Sequence, residues 1–177
     1  MKPKFRTLNA DEIDVRVATI SEKGASLLLY KDARVDQNIL DETVGRMNWQ
    51  RHHTRDNANC IVSIWDDDKK QWIAKEDTGT ESFTEKEKGL ASDSFKRACF
   101  NWGIGRELYT APFIWVDASK IEIKQGKNGK PTTYDKFHVE KIVYDEQRNI
   151  SGLSIQNQKN KRVFVWLKNK EEQNNAK

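Results

Sequence analysis

Cysteine is scarce: Cys60 and Cys99 are the only two, each in an apolar stretch, and no CxxC occurs. That excludes a disulfide framework and a cysteine-based zinc site, and leaves both thiols as small buried hydrophobes. Long apolar runs are missing as well, none approaching the roughly 20 residues of a membrane span. The opening MKPKFRTLNADEID has no apolar core, so no secretory signal is expected and the chain reads as soluble and cytoplasmic. There is no internal repeat and no phosphate-cradling P-loop. Gly103-Ile104-Gly105 lacks the third glycine of a dinucleotide fingerprint and follows a helical pattern instead of a strand.

What is present is a very polar chain, 36% hydrophobic and 33% charged with a mean hydropathy of -0.87. Aromatics still reach 10%, six of them Trp, and a disordered chain would carry few. At 177 residues one domain is expected, able to bury about two-thirds of its unfolded surface without staples. The net charge of +4 and pI of 9.0 lean mildly toward polyanions; only clustering of the basic residues on one surface would make that lean specific.

Periodicity sets the expected elements. A short helix starts near Asn9, with Asp11 and Glu12 in its first turn. Residues 15–20 and 26–30 form a hairpin around Glu22-Lys23-Gly24. Ile39, Leu40, Thr43, Val44 and Met47 recur at spacings of three and four, the pattern of an amphipathic helix ending near Gly45. Residues 49–55, 58–65 and 71–77 then read as an antiparallel meander, with Asp56-Asn57 as a two-residue turn and 66–70 as a longer one. Thr84 and Glu87 have capping-box spacing, and Gly103 offers a left-handed stop. Between them Ala91, Phe95, Ala98 and Trp102 form one stripe expected to lie on the sheet. Lys86, Gly89, Asp93, Lys96 and Arg97 fall opposite. After Pro112 come short apolar stretches at 113–116 and 121–124, a GKNGKP loop, and a second alternating meander over 137–144, 150–157 and 162–167. The tail 169–177 is polar.

Two segments carry a resemblance. KGASLLLYKDARVDQNILDETVGRMNWQ (23–50) runs from a strand ending in Tyr30 through Arg34-Val35 opening a helix to Gly45 and Trp49. EKEKGLASDSFKRACFNWGIGRELY (85–109) carries Asp93, then Lys96-Arg97, then Trp102-Gly103. In both, the chain resembles the annealing domain of the Rad-fifty-two recombination family, over roughly residues 10–110, and is more similar to its small phage-encoded members than to the long eukaryotic one. The long member's large C-terminal region for recombinase and single-strand-binding partners is not expected here, and a role as recombinase loader is not expected with it.

The resemblance implies single-stranded DNA binding and annealing of complementary strands in recombination and repair, by a homo-oligomeric ring or arc with DNA in an outer groove. It implies no enzymatic step and no cofactor, and a single-strand-binding protein could be an accessory partner. Such a grip needs cations on phosphate oxygens. The candidates are Lys96 and Arg97 first, then Arg16 before the SLLLY strand, Lys31 and Arg34 at the turn into the first helix, and Lys86. For Lys96-Arg97 spacing alone favours a solvated face with an Asp93–Arg97 ion pair, and the family match favours a phosphate contact. Tyr30 could stack on a base, although a Tyr at a strand end is more often core.

Metal constellations are weak. His52 and His53 are adjacent on a strand and face opposite ways, and Asp66-Asp67-Asp68 sits where turns favour Asp. The enzymatic alternative is a D…ExK nuclease using Asp117, Glu122 and Lys124, with the last two on one strand face. A third class is a plain single-strand-binding barrel, against which the long helix argues. The expected architecture is α+β, an antiparallel sheet with the long helix on one face (core 10–110) and a C-terminal β extension (112–168).

Overall fold

The computed structural model describes residues 3–80 and 86–168, with 86–88 as backbone only. The class is α+β, with antiparallel sheets, two α-helices among the described residues and a C-terminal strand meander. In chain order the elements are β1 (Asp14–Ser21), β2 (Gly24–Tyr30), α1 (Ala33–Val44), β3 (Trp49–Thr54), β4 (Asn59–Asp66), β5 (Gln71–Thr78) and α2 (Lys86–Asn101). There follow β6 (Ile114–Asp117), β7 (Lys124–Gln125), β8 (Pro131–Thr132), β9 (Phe137–Tyr144), β10 (Ile150–Asn157) and β11 (Arg162–Leu167). The helix expected at Asn9 is a single 3-10 turn, Ala10–Glu12, in which Glu12 reaches back to the Asn9 N–H at 2.8 Å.

The strands fall into more than one sheet, and the chain into two compact units. The first is Asp32–Arg106 with the segment before Leu8; the second is Leu8–Lys31 with the segment from Glu107 onward. One boundary, Arg106/Glu107, lies a few residues before the expected 110–112, and another at Lys31/Asp32 gives the β1–β2 hairpin to the C-terminal unit. The β1–β2 hairpin joins the C-terminal meander in one sheet, because Asp14 and Val15 pair with His138 and Phe137. That pairing is long-range and leaves no local mark in the sequence.

In the helical unit, β3-β4-β5 form a meander with β4 central, and α2 packs on β4 and β5. Its core includes Ile39, Leu40, Cys60, Val62, Ile64, Phe95, Ala98 and Cys99, all at most 4% exposed. Both cysteines are buried there outside any disulfide, and burial raises the pKa of the Cys60 thiol to about 11. The expected stripe of α2 is buried at Phe95 and Ala98 but only half-buried at Ala91 and Trp102, whose indole N–H donates to the Val62 carbonyl at 3.0 Å. Asp32 caps α1 by accepting the Arg34 N–H at 2.7 Å, and Gly45 closes it at φ 86°. Met47 lies beyond that stop and is 87% exposed, so the stripe ends at the helix. Gly79 is required by a close crossing: a Cβ there would lie 2.5 Å from the Ser94 nitrogen.

The two-residue turn expected at Asp56-Asn57 is instead a four-residue connection. Thr54 pairs with Asn59, and Arg55, Asp56 and Asn57 are all left-handed. The capping box of Thr84 and Glu87 lies outside the described residues, as does the tail 169–177. Gly103 adopts φ 94° just past α2, the stop its position predicts.

The second unit is a six-stranded antiparallel sheet ordered β11-β10-β9-β1-β2-β6, beside a small β7-β8 ribbon. Edge strands β6 and β11 approach within 8 Å between Cα atoms, so the sheet curls toward closure. One face buries Ala25, Leu27, Ile114, Val116, Phe137, Val139 and Ile155, which form the core of this unit. Within it Glu107, 2% exposed, accepts the Leu8 N–H at 2.7 Å and lies 3.9 Å from Arg148. The Tyr144 hydroxyl donates to the Leu8 carbonyl at 2.8 Å, and burial with the nearby Glu107 charge keeps the phenol protonated.

Candidate nucleic-acid interface

In the helical unit the N-terminal end of α1 gathers cations from separate parts of the sequence. The Arg34 guanidinium grips the Asp32 carboxylate with two bonds of 3.0 Å while its side chain stays 82% exposed. Lys96, half-buried on α2, adds its charge to the same carboxylate. Hydrogen bonds from Arg34, then the charges of Arg34 and Lys96, hold Asp32 down to about 2 against desolvation. Arg34 and Lys96 thus belong to one cluster at the positive end of a helix dipole.

Arg97 goes elsewhere. Its Nε lies 3.6 Å from Asp77 on β5, and the expected Asp93 partner accepts instead from the Thr80 N–H at 2.9 Å and hydroxyl at 3.3 Å. Adjacent helical residues point about 100° apart, and here that sends Lys96 toward the α1 terminus and Arg97 toward the sheet edge. Lys86 is on the first turn of α2, and its side chain lies outside the description.

In the second unit Arg16 and Lys31 part company. Lys31, the candidate at the turn into α1, is 7% exposed, so little of it reaches solvent. Arg16 is exposed on β1, its guanidinium 5.9 Å above the ring of Tyr30, and that ring is 40% exposed. Tyr30 is thus at the surface, not in the core. Sheet register extends this pair into a platform: Arg16 opposes Leu28, Asp14 opposes both Tyr30 and His138, and Ser26 opposes Trp115. Phe113 stacks on Trp115 with centroids 6.5 Å apart and planes at 16°. Phe113, Leu28 and Trp115 are 78%, 47% and 40% exposed, on the face opposite the core. Sequence reasoning missed Phe113 and Trp115. The signal was the alternation with Ile114 and Val116, both buried, which leaves the two aromatics on the other side.

The chain matches no family model, no curated protein and no solved structure.

The nuclease constellation does not assemble as expected. Residues 121–123 are not a strand; only Lys124–Gln125 pairs, and Glu122 and Lys124 form a 3.1 Å ion pair with each other. Asp117 caps the 3-10 turn Ala118–Lys120 by accepting the Ser119 N–H at 2.9 Å. Asp66 likewise turns inward, accepting the N–H groups of Asp68 and Lys69 at 3.0 and 3.1 Å. Among the described residues, no three potential ligands cluster for a metal. On β3, His53 is half-buried with Nδ1 3.4 Å from the Ser94 hydroxyl; burial, then the neighbouring Arg51 charge, lowers its pKa below the ordinary imidazole value. Among those residues, too, no helix is long and apolar enough to cross a membrane.

Proposed function

We propose that this protein binds single-stranded DNA without sequence preference and anneals complementary strands, as a homo-oligomer and without cofactor or bond chemistry. The observation that carries the reading is the solvent-facing sheet platform, where Arg16 lies over Tyr30 in line with Leu28 and the Phe113–Trp115 stack. Every base has a π face, so exposed rings flanked by guanidinium suit unpaired bases of any sequence. The Arg34–Lys96 cluster supplies a second cationic feature suited to phosphate oxygens. Annealing, a ring or arc, a phage origin, a cytoplasmic setting and a single-strand-binding partner rest on the resemblance to the Rad-fifty-two family.

A second reading, a plain single-strand-binding protein, gains support from the near-closure of the six-stranded sheet. The long helix that argued against a barrel belongs to the other unit. Two assays decide. Anisotropy of a labelled oligodeoxythymidylate across a salt series is expected to give steeply salt-dependent binding, and a flat response removes the strand-binding reading. A quenched-fluorophore annealing assay in EDTA is expected to show acceleration. Binding without acceleration establishes the plain binder, and Mg²⁺-dependent cleavage restores the nuclease.

A further inference from the structure

Away from the aromatic platform, the second unit holds a polar cleft of about 350 Å³ lined by Ser119, Lys120, Glu122, Asp135, Lys159 and Lys161, with Ile121 and Asn157 as its floor. Its walls are three loops tied together by hydrogen bonds. Asp135 accepts the Glu122 N–H at 2.8 Å and the Gln158 amide at 2.7 Å, and the Gln158 carbonyl oxygen accepts the Lys136 N–H at 2.9 Å. Asn157, 5% exposed, accepts the N–H groups of both Lys159 and Lys161 at 3.0 Å. That bond pair folds the β10–β11 turn, with Asn160 left-handed at φ 57°, so that two lysines are held toward the cleft.

The carboxylates of the cleft are already engaged. Asp135 is held by those donors and its pKa is lowered despite burial, and Glu122 is paired to Lys124 at 3.1 Å. Lys120, Lys159 and Lys161 are exposed and, among the described residues, form no ion pair within 4.0 Å. Beside them Lys124 sits 6.0 Å from the ring of Tyr134, which is 73% exposed.

We propose that this cleft is a phosphodiester-binding site, in which Lys120, Lys159 and Lys161 contact successive phosphates of a nucleic-acid strand and Tyr134 offers a face to a neighbouring base. It rests on the strand-binding reading above and extends it to a part of the chain outside the segments of resemblance. Three lysines lining one cleft on a hydrogen-bonded frame suit a polyanion, and the exposed ring favours a nucleic acid over an acidic peptide.

The test uses the full chain with all three lysines changed to Gln, beside Lys96→Gln and a folding check by circular dichroism. Labelled oligodeoxythymidylate is titrated over a salt series. With about 0.7 counterions released per phosphate contact, the log–log salt slope is expected to become shallower by roughly 2 in the triple variant. Affinity near ~0.1 M salt is expected to fall about a hundredfold, converging with wild type near ~1 M. An unchanged slope and affinity in a folded triple variant, while Lys96→Gln weakens binding, overturns the cleft but leaves the strand-binding reading. Absence of binding by wild type overturns both. A poly-glutamate peptide that binds wild type more tightly than the oligonucleotide, and not the triple variant, overturns the strand as occupant in favour of an acidic protein.

Discussion

Changing both Lys96 and Arg97 to alanine separates grip from scaffold, because neither side chain belongs to the core. Arg97 contributes an ion pair to Asp77 at 3.6 Å between side chains 46% and 29% exposed. Exposed pairs of this kind are worth about 0.2–1 kcal/mol. Lys96 touches stability through its charge on Asp32, a carboxylate that Arg34 already grips twice. The double variant should therefore lose about 1 kcal/mol or less, lowering Tm by roughly 2–4 °C for a chain of this length. Binding should respond on a different scale: with the Lys96 phosphate contact removed, the log–log salt slope becomes shallower by about 0.7. Phe95→Ala is the opposite control, since that ring is 0% exposed, stacks on Trp49 at 6.1 Å and lies under Arg51 at 4.9 Å. Its loss should cost about 3–5 kcal/mol. Thermal melts beside anisotropy titrations read both quantities. A double variant that unfolds, or that binds with the wild-type salt slope, refutes the assignment of this helix face.

On the sheet platform, Phe113→Ser with Trp115→Ser should weaken oligonucleotide binding by about 1–3 kcal/mol per base unstacked, with the salt slope unchanged; a changed slope would mean lost phosphate contacts instead. Glu107→Ala should strand the buried Leu8 N–H and destabilise the protein by about 1–3 kcal/mol in a denaturant titration, and a neutral result would show that water replaces the carboxylate. Asp32 should titrate near about 2 by NMR against an ordinary 3.8. Because the folded value is depressed, its stabilising contribution is fully present above about pH 4 and lost as pH falls through about 2; Arg34→Ala should move the midpoint up toward the ordinary value.

The sequence by itself determined most of the elements. Both meanders, the hairpin ending at Tyr30, the helix stopped by Gly45 and the stop at Gly103 follow from side-chain period and from backbone freedom at glycine, and both are local properties. It also marked Arg16, Arg34, Lys96 and Arg97 as cations on or beside regular elements, although not what each would meet. Tertiary structure alone decided the rest. Strand pairing is non-local, so nothing near Asp14 announced that β1 would join β9 and place the hairpin in the C-terminal sheet. Ion-pair choice depends on which carboxylates other elements bring within about 4 Å, which is why Arg97 met Asp77 and not the Asp93 one turn away. Burial of Lys31 and exposure of Phe113 invert what residue type suggests, because burial is set by the neighbours that folding supplies. The lysine cleft is the clearest case: Lys120, Asp135 and Lys159 are far apart in the chain, and only the hydrogen bonds of Asp135, Gln158 and Asn157 bring them to one place.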